Sequence, residues 1–122
     1  MKSKDRIVIQ KLIEYTKDIG KYINGLDFET FMNDKKTISA CAFTIGQIGE
    51  LVNNIDLSTQ ELYSQIPWRG IRGMRNRIVH NYEDVDLAVL WSTISKNIPE
   101  FEKQLDKILS IESQEITDTD EM

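Results

Sequence analysis

The sequence predicts an all-α fold, an up-and-down bundle of four to five helices. Three observations carry this. Apolar residues recur at spacings of three and four along most of the 122-residue chain, the period of an amphipathic helix. No alternating apolar run of useful length competes with them. The breaks between periodic segments are short, as between neighbouring helices of a bundle, and neither a repeat nor an internal linker interrupts them.

Each element has its own signals. Ser3 is placed to cap a first helix running to about Asn24, with Ile9, Leu12, Ile13, Ile19 and Ile23 inward and Gly25 as the stop. Asp27 caps a short turn that carries Phe28 and Phe31. A second long helix, about Lys35 to Asn54, turns Ile38, Cys41, Ala42, Ile45, Ile48 and Val52 to one broad face. Gly46 and Gly49 lie within it, and each costs about 1 kcal/mol against alanine in a helix interior. That cost predicts close approach of another helix. Ser58-x-x-Glu61 has the form of a capping box for a short helix to about Gln65. Pro67 suits the first turn of a third long helix reaching about His80. Asp84 or Asp86 caps the last helix, whose stripe is Leu87, Leu90, Trp91, Ile94, Ile98, Phe101, Leu105 and Ile108, and Pro99 should kink or divide it.

The net charge of −5 comes from the end of the chain. Glu112 to Met122 holds five acidic residues and no basic one, leaving fifteen of each sign in residues 1–111. Residues 1–111 therefore read as the helical domain and 112–122 as an acidic disordered tail. A low overall pI does not exclude a polyanionic substrate, because salt screens charges beyond about 8 Å. The single cysteine, Cys41, permits no intrachain disulfide, and it reads as a small buried hydrophobe. No signal peptide or membrane-spanning run is seen, so the expected location is the cytoplasm. One histidine and one cysteine argue against a protein-encoded zinc site, so neither metal nor cofactor is expected.

Charge concentrates between Ile66 and Tyr82. Four of the five arginines (Arg69, Arg72, Arg75, Arg77) and the only histidine, His80, lie there. On a helix, Arg72, Asn76 and His80 follow one another at four-residue spacing and form a polar column, with Arg75 flanking it. Ile71, Met74 and Ile78 face the core. This chemistry suits RNA cleavage without metal. Histidine gives or takes a proton near neutrality. Arginine grips phosphate oxygens in a permanently charged fork. Asn76 orients His80 or binds a phosphate oxygen, and Arg69, Arg72 and Arg77 add phosphate contacts. One histidine cannot be both acid and base, which a symmetric dimer with two such helices across one cleft would remedy. Plainer structural roles compete. His80 could sit at the helix C-terminus for the macrodipole. The arginines could form a solvated face, and Arg75 could pair with Glu50. Trp68, Trp91 and Tyr82 could be packing aromatics.

The longer string closely resembles the HEPN superfamily, whose ribonucleases share an Arg-x4–6-His motif, here Arg75-Asn76 and His80. More narrowly it resembles the HepT-like toxins encoded beside a minimal nucleotidyltransferase (MntA-type) antitoxin. The resemblance extends to Asp34-x-x-Thr37, Ile48-Gly49-Glu50, Ile66-Pro67-Trp68-Arg69, Gly73-Met74-Arg75-Asn76, His80-x-Tyr82, Val85-Asp86 and Trp91 ahead of Pro99, over roughly residues 5–110. It implies a homodimer with a composite cleft and metal-independent cleavage of an RNA substrate. It also implies that Tyr82 is the residue to which the partner nucleotidyltransferase attaches AMP units, silencing the toxin. The alternative is a non-catalytic helical module that binds a nucleotide or the nucleotidyltransferase itself.

Overall fold

The computed structural model describes the backbone of residues 1–81 and 84–121, and the side chains of these except His80, Asn81 and residues 114–121. The helices are α1 (Ser3–Ile23), α2 (Phe28–Met32), α3 (Lys35–Val52), α4 (Leu57–Leu62), α5 (Trp68–Ile78), α6 (Leu87–Ser92) and α7 (Ile98–Glu121). The fold is all-α, as the periodicity predicts, apart from a short antiparallel pair, β1 (Val79–Asn81) with β2 (Asp84–Val85). α3 is central: it packs on α1 and on α5, and α1 also packs on α7.

Local chemistry explains most element ends. Gly25, at φ 81°, turns the chain out of α1, a conformation that costs glycine least. The Asp27 carboxylate accepts the Thr30 N–H at 2.8 Å while the Thr30 hydroxyl accepts the Asp27 N–H, a reciprocal cap on α2. The Asp34 side chain accepts the Thr37 N–H at 3.0 Å and the Thr37 hydroxyl at 2.7 Å, capping α3. Those two bonds hold its carboxyl below the usual carboxylate value. Asp86, of the two candidates, caps α6 through the Val89 N–H. Pro99 does divide the last helix. The five residues Thr93–Asn97 form a π-helical turn between α6 and α7, accommodating a proline that lacks the N–H an α-helix would use.

Two expected caps are not used. Lys2, not Ser3, is the N-cap of α1, and no side chain bonds there. Ser58-x-x-Glu61 makes no capping box, because α4 begins two residues earlier than that pattern implies, with Asp56 as its N-cap. Asp56 instead pairs with Lys2 at 2.9 Å and Lys4 at 3.0 Å. Asp5 of α1, fully buried, accepts the Asp56 N–H and the Thr59 hydroxyl. A carboxylate from another helix thus meets the positive end of α4, which no local pattern announces.

α7 continues to Glu121, and Glu112 is 4% exposed. Its carboxylate accepts the Tyr63 hydroxyl and lies 3.6 Å from the Met1 ammonium. Glu112 thus packs against the helical body.

The glycines of α3 meet α5, as their cost implied. A Cβ built on Gly49 would lie 3.2 Å from the Arg72 carbonyl oxygen, and one on Gly46 would lie 3.3 Å from Arg75 Cδ. The first obstacle is backbone and the second a flexible stem. Gly49→Ala is therefore expected to destabilise by about 1 kcal/mol or more, overpacking exceeding the gain in helix propensity. Gly46→Ala is expected to be near neutral. Urea unfolding of both variants checks this, and equal midpoints would contradict so tight a contact at Gly49.

Candidate functional site

α5 divides its side chains by angle. Ile71, Met74 and Ile78 are buried, and Trp68 is anchored by its indole N–H on the Tyr63 carbonyl and by an edge contact with Phe101. At about 100° per residue, Arg69, Arg72 and Asn76 share the outward face, and all three are exposed. Arg75 and Arg77 stand roughly 160° apart around the axis. Arg75 turns toward α3, and Arg77 toward α7, where it lines a groove with Glu100 and Gln104. Arg77 also donates to the Gly70 carbonyl at 3.1 Å. The four arginines therefore fan around one helix. No acid accompanies them on α5, and the cations of its last turn, Arg75 and Arg77, sit where the helix dipole favours them.

Arg75 occupies the larger of these two grooves. It lines a groove of about 620 Å³ bounded by α3, α5 and the strand pair. Its stem crosses Gly46, the position where a side chain would obstruct it. Ile38, Ala42 and Phe43 of α3 and Val79 and Val85 of the strands give the groove apolar walls. Gln47 and Glu50 add polar ones. The ion pair with Glu50 that the sequence allowed does not form. Among the described residues no acid lies within salt-bridge distance of Arg75. Its guanidinium charge is thus not neutralised by a described carboxylate.

The motif does not stay on the helix. α5 ends at Ile78, and Val79, at φ −108° and ψ 102°, starts the strand that pairs with Asp84–Val85. The Asp86 N–H closes the turn on the Ile78 carbonyl at 2.8 Å. The β-branched pair Ile78–Val79 favours this exit. The column expected to join Arg72, Asn76 and His80 by helical spacing therefore stops at Asn76. The His80 backbone belongs to β1. Its side chain, and Tyr82 entirely, lie outside the described residues.

Phe43, like Ser39 and Gln47, is a groove residue that its sequence position does not mark. It is 66% exposed, and its signal was an aromatic residue off the inward stripe of α3. Among the described residues no three side chains of His, Cys, Asp or Glu converge, and no helix is long and apolar enough to cross a membrane.

A family model described as ribonuclease HepT-like matches residues 12–108. The chain belongs to this family. Among its HepT-like relatives, "Probable ribonuclease HepT" of Thermococcus cleftensis is 32% identical over 88% of this chain and 98% of its own length. A protein of Caldanaerobacter subterraneus subsp. tengcongensis with a provisional RNase name is 34% identical over 88% of this chain and 96% of its own. One from Methanocaldococcus jannaschii, also provisionally named an RNase, is 30% identical over 89% and 91%. No solved structure gives a significant match. The HepT-like match spans α3, α5 and the strand pair, hence every described wall of the groove.

Cys41, the chain's one thiol, is no candidate nucleophile. It is fully buried, and burial, with the charge of Asp34 adding to it, pushes its pKa up to about 11. The thiolate is the reactive form. An alkylating reagent at pH 8 is therefore expected to leave the folded protein unlabelled and to label it once denatured. Rapid labelling without denaturant would contradict this placement.

Proposed function

We propose that this protein is a metal-independent endoribonuclease, the toxin of a two-component pair, acting in the cytoplasm as a homodimer. The observation that carries the proposal is Arg75. In a chain of the ribonuclease HepT-like family, it lies in an open groove with no described counter-ion, five residues before the only histidine.

The chemistry follows from what these groups do. The guanidinium of Arg75 holds two oxygens of the scissile phosphate and stabilises the charge that grows on them. His80 takes the proton of the neighbouring 2′-hydroxyl as its oxygen bonds to phosphorus. The P–O5′ bond breaks, and the departing oxygen receives a proton from the His80 of the second copy, which enters in its protonated form. A dimer is thus needed for acid and base together. Asn76, one position after Arg75, binds a phosphate oxygen or orients the imidazole. Arg69 and Arg72, on the outward face, hold phosphates along the strand, and Arg77 does so from the other flank. These contacts bind any sequence, since phosphate carries no base identity.

Tyr82 is the proposed control point. AMP attached there by an MntA-type nucleotidyltransferase adds bulk and negative charge two residues from His80, in competition with the substrate phosphate.

Purified His80→Ala is expected to cut RNA at least about 100-fold more slowly, the lower bound for a lost acid–base group, with unchanged circular dichroism and mass. Cleavage equal to wild type would remove His80 from the mechanism. For the control point, Tyr82→Phe is expected to cut RNA normally yet to escape neutralisation when the nucleotidyltransferase is co-expressed. A variant that is still adenylylated and silenced would place the modification elsewhere.

A further inference from the structure

Exposed apolar side chains are ordinary when scattered, and Ile7, Leu57 and Leu62 are of that kind, lying outside the groove of Arg75. Phe43 differs in type and in place. It is aromatic, 66% exposed, and lines the groove that Arg75 enters. Gly46, which the Arg75 stem crosses, is three residues further along α3, about 4.5 Å along the helix axis. Ring and guanidinium therefore line one groove, within one turn of α3 of each other.

Taking the ribonuclease reading above as its premise, we propose that Phe43 is a stacking platform for one nucleobase of the RNA strand. The phosphate of that nucleotide rests on Arg75. An exposed aromatic face beside a cation is the arrangement by which proteins hold unstacked, single-stranded RNA. Ile38 and Ala42 of α3 and Val79 and Val85 of the strands add apolar lining to the same groove. Gln47 follows Phe43 by one turn and presents an amide to the edge of the stacked base. Glu50 lies one turn beyond Gly46, and its negative charge confines the phosphate to the Arg75 side. The groove thus takes single-stranded RNA and refuses a duplex, whose bases are not free to stack on a side chain.

The test uses the His80→Ala protein, which holds RNA without consuming it. Its affinity for a short single-stranded RNA of mixed sequence is measured by fluorescence anisotropy, alone and combined with Phe43→Leu, Phe43→Ala or Phe43→Trp. Phe43→Leu and Phe43→Ala are expected to weaken binding by about 5- to 150-fold, the range for loss of one stacked base. Phe43→Trp should bind as well as Phe43 or better. Equal affinity of Phe43→Leu and the parent would overturn the platform. So would a change of oligomeric state in sedimentation for Phe43→Leu, because the ring would then belong to a contact between copies. Failure of the underlying reading looks different. A wild-type protein that binds RNA through Phe43 but never cleaves it loses the ribonuclease assignment and keeps the platform. One that neither binds nor cleaves RNA loses both.

Discussion

The close packing of α3 on α5 is the contact on which the rest of the molecule depends. Two glycines on α3 give up about 1 kcal/mol each in helix propensity, and α5 fills the space they leave, with backbone at one and a side-chain stem at the other. At Gly49 the neighbour is the Arg72 carbonyl and at Gly46 the stem of Arg75. At Gly49 the two backbones thus lie at a distance that a side chain would disturb. Burial of Ile71, Met74 and Ile78 then fixes the rotation of α5. Once that rotation is set, the direction of each polar side chain follows. Arg75 enters the groove, Arg69, Arg72 and Asn76 face outward, and Arg77 is sent to the far flank. The same rotation delivers Val79 to its pairing with Val85, which takes the histidine off the helix and into a strand. Fold and site are in this sense one arrangement, since the packing of α5 also decides what its cations can reach.

Much of this was legible because it is local. Gly25, Asp27 and Asp86 each act within four residues of themselves, Pro99 within about two turns, and each does in the structure what its chemistry suggests. The inward stripes of α1, α3 and α7 were also legible, because burial follows helical period. The differences arise where a partner distant in sequence supplies the interaction. Asp5 reaches α4 across 54 residues to bond Thr59, so Asp56 is released to pair with lysines and the local Ser58–Glu61 pattern goes unused. Tyr63 binds Glu112 across 49 residues and draws into the core a carboxylate that composition alone assigns to a solvated tail.

The site was legible in its parts and less so in its geometry. Arginine density and a lone histidine marked the segment correctly. Helical spacing then extended the column one turn too far, because the pairing that ends α5 at Ile78 depends on Asp84 and Val85, beyond the motif. Spacing also made four arginines look like one patch, whereas the grooves on either side of α5 separate Arg75 from Arg77. Phe43 had no sequence signal strong enough to join it to the motif 32 residues away. Only the tertiary contact through Gly46 brings the ring and the guanidinium to one groove.

The central claim is that one arginine and one histidine per chain cut RNA through its own 2′-hydroxyl. The most direct measurement is the chemistry of the cut ends when purified protein acts on RNA in the presence of a chelator. The account requires cleavage to persist and to leave a 2′,3′-cyclic phosphate and a 5′-hydroxyl, with a 2′-deoxy substitution at the cut position blocking it. Cleavage abolished by the chelator, or products ending in a 3′-hydroxyl and a 5′-phosphate, would contradict it.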